Sequence, residues 1–128
     1  MQYEYFYGAQ AEQFSFYRIP KALFTEPNFR ELSTDAKVLY GILLDRMSLS
    51  LKNQWLDAQN KVYIIFTVDE IMDALNCANQ KATRLMVELE KQAGLIERKR
   101  QGLGRPNLIY VKNFAATING KSCEKADS

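Results

Sequence analysis

Apolar positions along the chain change period several times, and each change marks an element. Tyr3, Tyr5, Phe6 and Tyr7, then Phe14, Phe16 and Tyr17, alternate with other residues at a spacing near two, the mark of a strand. A small, polar stretch at 8–12 separates the two runs, so they predict a β-hairpin or a pair of extended segments. Ile19-Pro20-Lys21-Ala22-Leu23-Phe24 leads into a short helix or turn, with Pro20 pre-setting φ and Pro27-Asn28 interrupting it. Behind Ser33-Thr34-Asp35, an N-cap followed by an acidic first turn, Ala36, Leu39, Tyr40, Leu43, Leu44 and Met47 recur at helical spacing. They predict an amphipathic helix over about 33–48. Gly41 inside it costs about 1 kcal/mol relative to alanine and suits a close helix contact.

Further on, Gln54-Trp55-Leu56 and Val62-Tyr63-Ile64-Ile65-Phe66 flank the turn-forming stretch 57–61, which suggests a second hairpin. Thr67-Val68-Asp69-Glu70 is a T-x-x-E capping box. It opens a short helix with Val68, Ile71, Met72 and Leu75 on one face. Asn76, Cys77 and Ala78 break that helix, and another follows over about 79–93, with Ala82, Leu85, Met86 and Leu89 inward and Gly94 placed to end it. After Gly94 the period drops to two: a strand at 95–100, a glycine-rich loop at 101–107, and a returning strand at 108–111. From Asn119 the chain is polar and small, the composition of a linker or frayed end.

The order from Ser33 is therefore helix, strand, helix, turn, helix, strand, loop, strand. That is the plan of a winged helix: a helix-turn-helix over 67–93 followed by a β-hairpin wing. The expected fold class is α+β, a winged helix-turn-helix with an N-terminal β-hairpin or extended segment and an additional β-hairpin. Residues 1–114 are expected to form one such domain and 115–128 a polar tail or linker. In such motifs the second helix enters the major groove of DNA. At about 100° per residue, Gln80, Arg84, Val87 and Lys91 point away from the inward set, with Lys81 and Thr83 on the flanks and Asn79 near the start. Arginine pairs with guanine, and asparagine or glutamine with adenine. A solvated helix face carries the same residue types, so the wheel alone leaves both readings open.

Charge placement bears on that choice. The 128 residues carry 17 basic and 15 acidic side chains, a net charge of only +2. Residues 1–75 hold 7 basic and 10 acidic side chains, whereas residues 76–112 hold 8 basic and 3 acidic. The basic strip covers the outward helix and the wing, where Arg98, Lys99 and Arg100 lead into a loop bearing Arg105. A cationic, glycine-rich tip can follow a phosphate backbone or enter a minor groove. The candidate DNA-binding residues are Asn79, Gln80, Lys81, Thr83, Arg84, Arg98, Lys99, Arg100 and Arg105.

Several classes are excluded or disfavoured. The absence of histidine removes Ser-His-Asp and Cys-His catalysis and every histidine-containing zinc site. Cys77 and Cys123 form no C-x-x-C pair; Cys77 reads as a small, partly buried thiol in a reducing compartment. No phosphate loop is present, and Gly102 and Gly104 precede Arg105-Pro106 rather than a helix. Neither an enzyme, a metal nor a cofactor is expected. No apolar run reaches the length of a membrane span, and the first residues lack the make-up of a signal peptide, so a cytoplasmic protein is expected. The N-terminal aromatics, seven of the chain's 15, either cover the domain's own core or pack against a second subunit.

Several collinear segments also carry a resemblance. Phe16-Tyr17-Arg18-Ile19-Pro20-Lys21-Ala22-Leu23-Phe24, Leu32-Ser33-Thr34-Asp35-Ala36-Lys37-Val38-Leu39-Tyr40, Leu44-Asp45-Arg46-Met47-Ser48-Leu49-Ser50, Val62-Tyr63-Ile64-Ile65-Phe66-Thr67 and the wing from Gln101 to Phe114 resemble the N-terminal domain of plasmid replication initiator A proteins. The likeness runs from about Phe14 to Phe114. It implies a winged-helix domain that binds double-stranded DNA at repeated origin sites of low-GC Gram-positive plasmids. It also implies a homodimer, and a separate C-terminal domain through which host replication proteins are recruited. By this likeness the helix from Asn79 is the recognition helix and Arg98 to Arg105 belong to the wing. Ala78 departs from the small hydroxyl residue expected at that helix's N-cap, a loss of typically ~1 kcal/mol. The alternatives are a winged-helix transcription regulator and a winged-helix interaction module that never touches DNA.

Overall fold

The computed structural model describes residues 2–8 and 14–117. Cys123, the tail from 118 and most of the stretch expected to join the two aromatic runs lie outside the described residues. Helix α1 spans Ala22–Thr25 and is followed by a 3-10 turn at Pro27–Phe29. Helix α2 spans Thr34–Lys52, α3 Val68–Leu75 and α4 Asn79–Val87, with a wider π turn continuing α4 over Glu88–Gln92. Strands β1 (Ile96–Lys99) and β2 (Leu108–Val111) form an antiparallel pair, and α5 is a single turn at Phe114–Thr117.

The local signals in the sequence explain most boundaries. The Ser33 hydroxyl accepts from the Ala36 amide at 3.1 Å and caps α2, leaving one fewer orphan donor at that end. Both bonds of the Thr67–Glu70 capping box are present at the start of α3. Asn76 stops α3 in the left-handed region, at φ 53°, which asparagine tolerates better than most residues. Gly94, at φ 67°, ends the π turn as expected. Ala78 sits at the N-cap of α4 in extended conformation with no side-chain bond, yet α4 still starts at Asn79.

The core forms where α2 crosses the helix-turn-helix. Leu39, Tyr40, Leu43, Ile71, Leu85, Met86 and Leu89 are all essentially buried, together with Ile64, Ile96 and Ile109 from the sheet side. Leu44 and Met47 pack only partly against this core. Strand pairing sets Ile96 opposite Val111 and Lys99 opposite Leu108. A single bridge, Ile64 to Ile109, adds a third strand position to the wing. Tyr40 reaches from α2 to β2's end, its hydroxyl donating to the Lys112 carbonyl at 2.9 Å, and burial pushes its pKa up to about 12. Phe114 packs edge-on to Phe29 at 5.3 Å, bringing α5 against the body of the domain.

Three expectations change in detail. Residues 2–8 and 14–18 form no strand, so of the two N-terminal alternatives the hairpin is not seen. Tyr3, Tyr5, Phe6, Tyr7, Phe14, Phe16 and Tyr17 are all exposed; period-two alternation predicts pairing only when one face finds a core, and none lies beneath them. The second hairpin shrinks to one bridge, Leu56 to Val62. Its turn is organised instead by Asp57, whose carboxylate accepts from the Gln59 and Lys61 amides and from the Tyr110 hydroxyl. The Lys61 amide is the largest influence on Asp57, and with its other partners it outweighs burial and lowers the pKa. Finally, Gly41 makes its close approach to the segment before α1, not to a helix. A Cβ there would lie 2.9 Å from the Arg18 carbonyl oxygen and 2.9 Å from Ile19 Cγ1.

Gly41→Ala therefore sets a helix-propensity gain of about 1 kcal/mol against overpacking of typically 1–3 kcal/mol. A net loss of up to about 2 kcal/mol is expected, read as a lower urea midpoint at unchanged slope.

Candidate nucleic-acid interface

Helix α4 presents the two faces that its periodicity requires. Ala82, Leu85 and Met86 are buried, while Asn79, Gln80, Thr83, Arg84 and Val87 are exposed. Lys91, in the π turn, is exposed as well. The wing stands beside this helix: Met86 of α4 and Ile71 of α3 share a small cleft of about 250 Å³ with Arg98, Arg105, Pro106 and Ile109. The wing therefore packs against the inward side of the helix-turn-helix, while the outward residues of α4 and the cations Lys99, Arg100 and Arg105 of the wing stay exposed.

The nine candidate residues fall into two groups. Asn79, Gln80, Thr83, Arg84, Lys99, Arg100 and Arg105 are exposed. Of the cations in this region, Arg84, Lys91, Lys99, Arg100 and Arg105 take part in no ion pair among the described residues. Lys81 and Arg98 are different. Lys81 Nζ lies 2.6 Å from an Asp35 carboxylate oxygen at the start of α2, with both side chains half-exposed. Arg98 is held by Glu90: its Nε and Nη2 donate to Oε1 at 3.0 and 2.7 Å, and its backbone amide donates to Oε2 at 3.1 Å. Burial pulls the Glu90 carboxyl upward, but the Arg98 side chain and amide together outweigh it and hold the pKa below the ordinary 4.5.

Sequence reasoning missed the two carboxylates that position this surface. Glu88 is buried, accepting from the Ser33 amide at 2.8 Å and from the Ser33 hydroxyl at 3.0 Å. Helical spacing puts Leu89 in the inward set but not Glu88, yet both are buried at the start of the π turn. Glu90 is one of the three acids within the basic strip. A tertiary contact decides its role, although an acid beside a strand rich in arginine is a usable signal.

Helix α3, the three-residue turn, α4 and the β1–β2 hairpin with its bridge to Ile64 define a winged helix-turn-helix domain. The chain belongs to the replication initiator protein A (RepA) N-terminus family, whose model matches residues 15–125. It is 33% identical over 103 residues to a "41 kDa protein" of Lactobacillus helveticus; the match takes in 80% of this chain and 28% of that one. This chain therefore spans well under half of the length of that relative. Among solved structures it is similar to an N-terminal domain of a DNA-binding protein, with a TM-score of 0.71 and 34% identity over 99% of this chain and 98% of that one. A chain from a Rep–DNA complex matches with a TM-score of 0.71 and 34% identity, covering 98% of each. A chain of an MDR initiator matches with a TM-score of 0.67 and 37% identity over 98% of this chain and 99% of that one. No helix among the described residues is long and apolar enough to cross a membrane.

The Glu90–Arg98 pair yields a pH prediction. A carboxyl with a depressed folded-state pKa contributes stability that is present above its unfolded value, about 4.3, and lost as pH falls through the folded one. Urea unfolding from pH 7 to pH 3 is expected to show Glu90→Gln less stable than the parent at neutral pH. The gap should close on acidification below that value.

Proposed function

We propose that this domain binds double-stranded DNA sequence-specifically at repeated sites of a replication origin, as the N-terminal domain of a plasmid replication initiator. The observation that carries this reading is the exposed polar face of α4 in a winged helix-turn-helix whose wing bears exposed cations that make no ion pair among the described residues. Similarity along nearly the whole chain to the protein of a Rep–DNA complex supports it.

The roles follow from chemistry and place. Asn79, Gln80, Thr83 and Arg84, in the first two turns of α4, meet base edges in the major groove. Lys99, Arg100 and Arg105 meet phosphates or the adjoining minor groove. Lys81 sits in an exposed ion pair of the kind worth little, so a phosphate can replace Asp35 as its partner. Arg98 adds charge to the wing while its bonds to Glu90 hold β1 against the π turn.

Two such domains act together. If about four to six cations of one subunit meet phosphates, binding falls with salt at a slope of roughly −4 to −5 per subunit, the range of a modest binder that gains from a second half-site. The exposed aromatic segment before Pro20 supplies the dimer contact, since exposed aromatics are enriched where interfaces form. Host replication proteins are recruited through a C-terminal domain, and the work is done in the cytoplasm.

A salt titration on duplex DNA tests the reading. Arg84→Ala is expected to reduce preference for the best site over random duplex about tenfold. Arg105→Ala is expected to weaken all sequences alike and to lower the salt slope by about 1. Failure to bind any duplex at low salt would overturn the proposal, and equal effects of both changes on every sequence would remove base readout from Arg84. Deleting residues 1–13 is expected to shift sedimentation toward monomer; a deleted chain that stays dimeric places the interface elsewhere.

A further inference from the structure

At the end of the wing the backbone selects one side chain for display. The Arg105 amide donates to the Gly102 carbonyl at 3.2 Å, closing a four-residue turn. Gly104, in the third position, has φ 79°, the type II arrangement that calls for glycine there. The loop is tied below the turn by Gln101, whose Nε2 donates to the Pro106 carbonyl at 2.8 Å. Leu103 occupies the second turn position with a relative exposure of 104%, the highest of any large apolar residue described.

A single exposed leucine is ordinarily unremarkable on a protein surface. This one is fully displayed on a hydrogen-bonded turn. Exposed Lys99, Arg100 and Arg105 flank it and have no ion pair among the described residues. A protein partner would meet three cations around one isobutyl group, a poor match for an apolar pocket. A duplex offers the complementary arrangement: phosphates on either side of a minor groove and, between adjacent base pairs, an apolar gap that opens when the stack is pried apart.

We propose that Leu103 is a wedge, inserted by the wing between two base pairs from the minor groove, which partly unstacks that step and kinks the duplex. The inference rests on the reading of the wing as a DNA contact. Burial of the leucine and closer approach of Arg100 and Arg105 to the phosphates offset the lost stacking. Because the turn is already closed in the free domain, little ordering is needed at the moment of insertion. Pyrimidine–purine steps unstack most readily, so the wedge favours a TA or CA/TG step beside the site read by α4.

The test uses the full 128-residue chain and duplexes it selects from a random-sequence pool. These carry 2-aminopurine at successive pyrimidine–purine steps and a donor–acceptor pair at their ends. The wild-type chain is expected to raise 2-aminopurine emission at one step and to bend the duplex by about 20–90°. Leu103→Ser should keep salt-dependent binding with affinity about 3- to 10-fold lower, yet lose both the emission rise and the bend. Leu103→Met should retain both. Matched thermal unfolding of the variants checks that the fold is intact. Equal bending, emission and affinity for Leu103→Ser and wild type would overturn the wedge, as would a wild type that binds without unstacking any step; both leave the DNA-binding reading standing. A wild-type chain that binds no duplex overturns that reading, and the wedge with it.

Discussion

The buried carboxylate of Glu88 fixes where the outward face of α4 points. It accepts from both the amide and the hydroxyl of Ser33, while the same hydroxyl accepts from Ala36 and caps α2. The arrangement works like a capping box whose acid comes from another helix, 55 positions away in sequence. The carboxylate lies at the positive end of α2, where an acidic side chain is favourably placed. Hydrogen bonds to charged groups contribute about 1.5–3 kcal/mol each, and removing one partner leaves the other desolvated. The Lys81–Asp35 pair ties α4 to the same turn of α2 from nearer its start, but its exposure makes it the weaker tie. Helix α4 is held at two points along its length, and α2 becomes the reference against which its outward residues are aimed.

Glu90 does the equivalent work for the wing. Three bonds to Arg98 fasten the first strand to the turn that ends α4, and the Ile64–Ile109 bridge fastens the second. Both carboxylates lie in the π turn over Glu88–Gln92. Such turns are rare in helices and recur at functional sites.

Much of this was legible in the residues because it is local. Ser33, Thr67-x-x-Glu70 and Gly94 announce helix ends through bonds or torsions that depend only on neighbours in sequence, and Ala82, Leu85, Met86 and Leu89 report a face by spacing alone. The N-terminal aromatics misled because alternation records which side chains could share a face, not whether a core exists to receive them. The hairpin before α3 is shorter than its residues suggest. The Asp57 carboxylate gathers the Gln59 and Lys61 amides, and the pairing beside it is limited to the Leu56–Val62 bridge with its flanking bonds. Glu88 was illegible because its partner Ser33 lies 55 positions away, and Glu90 because Arg98 sits on the strand beyond the turn that ends α4, contacts that no periodic template includes.

The distribution of paired and unpaired charge follows from these constraints. Gathering like charges on one face costs free energy through self-repulsion, and the basic strip would bear most of it. Glu90 and Asp35 neutralise the two strip cations that help hold the fold, Arg98 and Lys81. Arg84, Lys91, Lys99, Arg100 and Arg105 keep their full charge where the side chains stand in water, so high local dielectric and salt screening soften the repulsion among them. A phosphate lattice brought against that face replaces the small counterions that did the screening, and their release drives association. The net charge of +2 is therefore the residue of two separate solutions: an acidic scaffold that anchors the helix and strand, and a solvated cationic surface that the anchoring leaves free.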